Sequence, residues 1–282
     1  MPSRRPGSAA PESSGARIAL GLVAALGIAR IALAERRRPL RRQRHPALPR
    51  TIRNVAMGAM CAAVVATIET PATRVVAHTN IDRRRGLAHL VPRPFGGIAA
   101  FLAMDYGFYL WHVATHRVGF LWRFHRVHHV DPDMDMSTAI RFHMVDMIVS
   151  LPWRLVQVRL SGIGPRGLER WQRFFTASIL FHHSNLALPR ALDDRLAWVL
   201  TTPRMHGIHH ATVRRLRNSN WSSGISVWDR LHGSFRAAPD TAPGPRDIVI
   251  GVDDPLAMAD VAIEQALAAP FVHATYPGDV TA

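Results

Sequence analysis

Five apolar stretches, set apart by polar, proline-containing or arginine-rich segments, outline this chain. The first, Ala16–Ala34, reads as a retained helical anchor rather than a cleaved leader. Arg30 lies inside it, no small-residue cleavage site follows, and a dense arginine run comes next. Asn54–Ile68 reads as a second span made mostly of small residues, which let helices pack closely. Pro94–Trp111 is the best third span, interrupted only by Asp105. Met144–Leu160 carries Asp146, Pro152, Arg154 and Gln157, and Phe174–Leu188 carries a histidine pair. Each of these last two fits a span, half of a re-entrant hairpin, or a helix laid against the others. Polar groups at membrane depth are costly and face protein interior or a site.

The punctuation between these stretches gives the organisation. Residues 1–15 are rich in Pro, Ser, Gly and Ala and read as a disordered tail. Residues 16–93 hold the first anchors and their loops, with 70–95 as a Pro- and Arg-containing connection. Residues 94–236 form the region of chemical interest, and within it 189–236 read as a polar, aromatic cap on the cytoplasmic side. Residues 237–282 read as a tail with a short helix at Pro255–Ala269. The expected fold is all-α: an integral membrane helical bundle with a cytoplasmic helical cap.

Composition narrows the function classes. The 282 residues suffice for one sizeable domain, and the 35 basic residues, all arginine, outnumber 20 acidic ones. Such an excess suits nucleic acid, an anionic membrane or an acidic substrate. The arginines lie in short loops between apolar segments, however, which argues for a membrane protein and against a nucleic-acid binder. The dense loop 35–53 should face the cytoplasm, although Arg74, Arg83, Arg84, Arg85 and Arg93 compete with that orientation. The single cysteine, Cys61, excludes an intrachain disulfide and any site built from several cysteines.

Histidine is the unusual residue, with 16 copies. His112-Val-Ala-Thr-His116 places two imidazoles one helical turn apart on one face, where the third apolar stretch ends. His125-Arg-Val-His128-His129 follows, and His206-Gly-Ile-His209-His210 repeats its spacing. His182 and His183 lie between. In a helix His125 faces the same way as His128 and His129, while the adjacent pair diverges, so it can serve two metals. One zinc needs four protein ligands at most, so eight to ten imidazoles fit a two-metal centre better. Imidazoles suit iron, zinc, copper and nickel. No Glu-x-x-His pattern of soluble carboxylate-bridged di-iron bundles is present. Two zincs, implying a membrane hydrolase, and a non-catalytic metal-binding protein are the competing readings.

The three boxes together resemble the fatty acid hydroxylase/sterol desaturase superfamily of membrane oxygenases. The resemblance runs over roughly residues 98–236, with Asp105 and Tyr109 ahead of the first box and Arg141-Phe142-His143 after the second. His183-Ser184-Asn185, Asn220 and Trp228-Asp229-Arg230 complete it. It implies His112, His116, His125, His128, His129, His206, His209 and His210 as iron ligands. It adds His183, with His182 as an alternative tenth. It further implies two irons, O2 as cosubstrate, an external electron donor, and hydroxylation or desaturation of a lipid-like substrate: fatty acyl, sterol, alkylglycerol or carotenoid. The corresponding location is the bacterial inner membrane with the active site on the cytoplasmic side. No cysteine set or Gly-x-Gly-x-x-Gly signature marks a fused reductase, so electrons would come from a separate protein docking on the arginine-rich face.

Asp105, seven residues before His112, is the leading candidate to receive a ligand's second ring N–H. Asn185, Asn220 and Asp229 are candidates for similar parts. His143 departs from the family pattern, since Met144 replaces a proline and Asp146 an acid farther on, and reads as supporting rather than ligating. His232 reads as packing or hydrogen bonding. His45, His78, His89 and His273 have no spaced partners. Tyr106, Phe108, Tyr109, Phe124 and Phe142 are candidates for lining a lipid channel.

Overall fold

The computed structural model describes residues 14–237, 248–252 and 262–272. The expected tail therefore lies outside the described residues through residue 13, as do His273 and the first part of the expected Pro255–Ala269 helix.

The fold is all-α. The first apolar stretch lies in α1 (Ser14–Arg37), which stands exposed along most of its described length. The second lies in α2 (Ala47–Val64), which does not stop where proline and arginine begin. A π turn at Val65–Glu69 leads straight into α3 (Thr70–Asp82), so much of the expected connection at 70–95 is helix. Pro71 would break an ordinary helix by removing a donor and crowding the preceding turn. Here the wider turn just before it takes up both defects. Among the described residues, Ala47–His89 is the one helical stretch long and apolar enough to cross a membrane.

The third apolar stretch lies in α4 (Arg93–Arg117), and α5 (Gly119–His129) follows after a break at Val118. The two ambiguous stretches are both helical: α6 (Met144–Ser161) and α7 (Pro165–His183). The helices α2–α3 and α6 run away from the histidine end, while α4 and α7 run back towards it. Cross-contacts set this arrangement, with Cys61 beside the Phe142 carbonyl, Glu69 beside Arg154, and Asn80 donating to the Val158 and Ile163 carbonyls. Ala77, Ala100, Met104, Val158, Leu168 and Trp171 form the bundle core. At the far end, two reversals touch. Gly86 (φ 91°) and Gly162 (φ 72°) lie so close that a Cβ on Gly86 would collide with the Gly162 backbone. Both the positive φ and the contact require glycine there.

The histidine end is closed by short elements: a 3-10 turn at Met136–Ile140, α8 (Arg190–Leu196), α9 (Pro203–His209), α10 (Arg214–Arg217) and α11 (Val227–Leu231). Segments at both ends of the chain join this layer. Pro39 pairs with Leu186 in an antiparallel bridge, and Asn185 exchanges side-chain hydrogen bonds with both backbone groups of Arg41. Arg50, 2% exposed, is buried among Asp131 and Asp135. Two arginines of the loop expected to face the cytoplasm are thus interior, Arg50 as a counter-charge to two aspartates and Arg41 among neutral acceptors. The segment expected as a tail packs as well. Ile250 bridges Ala211, and α12 (Ile263–Val272) sits on α5, with Arg123 donating to the Pro270 carbonyl.

Candidate metal centre

Nine of the histidines converge in two buried groups. His112, His116, His125, His129 and His209 form one; His128, His183, His206 and His210 form the other. Within each, the facing ring nitrogens lie within 4.8 Å of one another. Helix geometry explains the sorting. On α5, His125 and His129 are one turn apart and join the first group, while His128 turns to the second. On α9 and its cap the pattern inverts: His206 and His210 join the second group and His209 the first. The first box, on α4, gives both its rings to the first group, and His183 from the end of α7 completes the second.

Backbone carbonyls fix four of these rings. A carbonyl only accepts, so the ring nitrogen facing it must carry the proton. His112 Nδ1 donates to Trp221 (2.6 Å), His209 Nδ1 to Ser219 (2.8 Å), His128 Nδ1 to Arg141 (3.1 Å) and His183 Nδ1 to Ile179 (2.7 Å). Each group thereby has two rings whose Nε2 is a bare lone pair. Those of His128 and His183 face each other at 3.0 Å, and His206 Nε2 lies 3.0 Å from that of His183. The facing lone pairs of His128 and His183 repel with no ring proton between them, whereas His206 relieves its own contact with His183 when its single proton sits on Nε2. Burial and neighbouring imidazoles hold the ring pKa values of His128, His129, His206 and His210 well below the ordinary 6.5, and burial lowers that of His209 to about 3. Both nitrogens of His116, His129 and His210, and Nε2 of His125 and His209, are buried without a hydrogen-bond partner. Leaving so many polar atoms unpaired is costly. Bound cations resolve both problems, so the nine residues fit a pair of imidazole-bound metal ions.

The supporting candidates fall differently. Asp105 does not take a ring proton from His112, whose Nδ1 belongs to Trp221. The Asp105 carboxylate instead accepts from the Ile225 amide and the Trp228 indole, anchoring the loop that carries Trp221. Asp229 supports the same loop, accepting from the Trp221 and Ser222 amides and the Ser234 hydroxyl. Asn220, at φ 53°, ties α9 to the chain beyond α11 through the carbonyls of Met205 and Arg236. Asn185 fastens the N-terminal segment. His143 caps α6, accepting from the Val145 amide, and its other nitrogen meets the Leu267 carbonyl of α12. His182 is buried but lies in neither group, its ring 4.0 Å from that of His206. His232 stacks on Tyr109 and meets the Tyr106 hydroxyl, and His45 pairs with Asp133, away from the centre. His78 and His89 are in neither group.

Two partners escaped sequence reasoning. Asp146 comes within 3.7 Å of His125 Nδ1 and is the carboxylate nearest a first-group ring among the ion pairs found. Arg41, from the N-terminal segment, donates to the Pro203 carbonyl and lies against Gly207, where a Cβ would strike its guanidinium. Spacing gives no sign of Arg41, whereas Asp146 stands where the resembled family's pattern has an acid, a signal that was given no role.

A cavity of about 210 Å3 opens from the centre into the bundle, touching His112 and His125 of the first group and His128, His183 and His206 of the second. Its other walls are mainly apolar, including Phe108, Trp111, Phe142, Phe175 and Ile179. Of the aromatic channel candidates, Phe108 and Phe142 line it; Tyr106 and Tyr109 surround His232, and Phe124 faces His143.

Comparison with known proteins agrees with this geometry. The fatty acid hydroxylase family matches residues 97–234, the stretch that carries every ring of both groups. The chain belongs to the fatty acid hydroxylase/sterol desaturase superfamily. Superfamily relatives include the ornithine lipid hydroxylase OlsE of Rhizobium tropici, 29% identical over 69% of this chain and 55% of that protein. The alkylglycerol monooxygenase of Xenopus tropicalis is 27% identical over 55% of this chain and 32% of its own length; the human one is 28% identical over 51% and 31%. The match thus spans about half of the first relative and a third of the other two. No solved structure matches the chain.

Proposed function

We propose that this protein is a membrane-bound, O2-dependent di-iron hydroxylase that inserts one oxygen atom into a C–H bond of a lipid-like substrate. The observation that carries the reading is the opening of both imidazole groups into one mainly apolar cavity. Oxygen insertion is favoured over desaturation because the relatives named above are a hydroxylase and monooxygenases.

In this reading the first group holds one iron and the second the other, with His182 beside them as a supporting ring. Two ferrous ions at such a site supply O2 activation and abstraction of hydrogen from an unactivated carbon. The chain's own residues do the rest. The Trp221, Ser219, Arg141 and Ile179 carbonyls hold four rings in one tautomer, which keeps their Nε2 lone pairs aimed inward. Phe108, Phe142, Phe175 and Ile179 exclude water and accept an alkyl chain. No side chain need act as acid or base.

The bundle of α2–α3, α4, α6 and α7 is read as embedded in the bilayer. Helices α6 and α7, 18 and 19 residues long, match the ~30 Å hydrocarbon layer at ~1.5 Å per residue. The histidine end is read as cytoplasmic, in a bacterial inner membrane, with a separate electron-transfer protein docking there.

The test compares lipid extracts from cells expressing the protein with those from cells expressing His128→Ala. A product one oxygen heavier in the first alone is expected, together with about two irons per chain after anaerobic ferrous reconstitution. Two tightly held zincs with O2-independent turnover would replace the reading with a hydrolase.

A further inference from the structure

The cavity is not apolar throughout. Asp146, Ser150 and Arg154 lie four residues apart on α6, and all three face it. At ~1.5 Å per residue, Arg154 stands ~12 Å along the helix from Asp146, which itself lies beside His125. Arg154 is therefore deep in the bundle, at the end of the cavity away from the metal centre. Its Nη1 donates to Gln157 at 2.7 Å, and its guanidinium lies 5.5 Å and 5.6 Å from the ring centres of Phe108 and Trp171. Its Nε lies 3.4 Å from Glu69 Oε1 but without hydrogen-bond alignment, so this buried donor lacks an acceptor. Glu69 ends the π turn of the α2–α3 helix, and the two side chains are 10% and 11% exposed. Arg154 lines the cavity, while Glu69 touches Arg154 from the π turn without itself lining the wall; a charged pair inside a bundle is costly to desolvate.

We propose that Arg154 and Glu69 form a subsite for a neutral hydroxyl group on the lipid substrate, fixing which carbon reaches the metal centre. The charge balance selects the class of group. Glu69 neutralises Arg154, so an anion would have to displace a carboxylate already in place. A hydroxyl can accept from the guanidinium and donate to the carboxylate together, which neither a hydrocarbon nor an ether can do. This inference rests on the reading of the cavity as the substrate site, not on the identity of the metal.

The test is binding to the metal-free full-length protein in detergent, measured by displacement of a fluorescent fatty probe with hexadecanol, hexadecyl methyl ether, hexadecane and palmitate. The wild type should bind hexadecanol about tenfold more tightly than the ether or the alkane, the worth of one well-placed hydrogen bond. Arg154→Met should remove that preference. Glu69→Gln, which leaves the guanidinium uncompensated, should turn it towards palmitate. Because either single change leaves a buried charge alone, Glu69→Gln combined with Arg154→Met provides a folded control without charge, checked by its melting temperature. Equal binding of alcohol and ether by the wild type, tighter binding of palmitate, or a preference that survives Arg154→Met would each overturn the subsite. O2-dependent turnover that persists in the face of such a result would leave the hydroxylase reading standing; a zinc-bound, O2-independent protein that still prefers the alcohol would do the reverse.

Discussion

The two imidazole groups are built from the same boxes but are not equivalent. The first has five rings and the second four. Three of the second group's rings border the cavity, against two of the first group's five. Structural metal sites are closed by their ligands, whereas catalytic ones keep a position open. In the proposed reading the smaller group, turned towards the cavity, would be the one with coordination to spare. Carbonyls hold two rings in each group, and the larger one has in addition the Asp146 carboxylate beside His125.

Removing one ring from each group sharpens that contrast. His128→Ala leaves three nitrogens in the second group and should abolish oxygenase activity with loss of at least one metal per chain. His116→Ala leaves four in the first group and should retain more metal. Elemental analysis of both variants after the same reconstitution decides it, and equal depletion would erase the difference between the groups. A smaller effect is expected at Asp229→Asn. Asparagine offers one acceptor oxygen where the carboxylate offers two, so either the Trp221 or the Ser222 amide loses its partner. The Trp221 carbonyl then moves relative to His112, and metal affinity of the first group should fall about 10–100-fold. Titration with a competing chelator measures this; a loss confined to the second group would contradict the assignment.

Smaller still is Gly207→Ala, on the helix that serves both groups. Its Cβ would collide with the Arg41 guanidinium and should cost ~1–3 kcal/mol, read as a lowered melting temperature. In an Arg41→Ala background the same change should cost little, and additive losses would show that the contact carries no energy. The mildest effect is the pH dependence near neutrality. The His209 ring is neutral in the folded chain down to about pH 3 but takes a proton at 6.5 when unfolded. The unfolded state therefore binds more protons between these values, and stability falls as pH drops from 6.5 towards 3. Melting of the metal-free protein should be flat above 6.5 and decline below it; a rise on acidification would mean the rings are accessible.

The histidine spacings made the centre legible. A helical repeat decides on which face a ring stands, so His125 with His129, and the divergence of His128 from His129, follow from their positions alone. The apolar stretches within α2 and α4 were equally legible, because length and hydropathy act locally. Arg41 and Arg50 were not. Their pattern matched a solvated loop, and only distant aspartates and carbonyls turn them inward. The helix through Pro71 was hidden too, since the π turn that admits proline leaves no mark in composition. Asp105 looked like the partner of His112 by helical register, yet a backbone carbonyl more than a hundred residues later holds that position.

By itself, the sequence determined which residues offer ring nitrogens, which of them share a helix face, and that apolar helices stand beside them. Those properties depend on side-chain chemistry and on the period of the helix, both of which are local. Only the tertiary structure decided how the boxes divide five to four, which carbonyls set the tautomers of four rings, and that Glu69 meets the cavity-lining Arg154. Each of those outcomes depends on where a second helix or loop comes to rest, and that is set by packing across the whole bundle rather than by any segment of the chain.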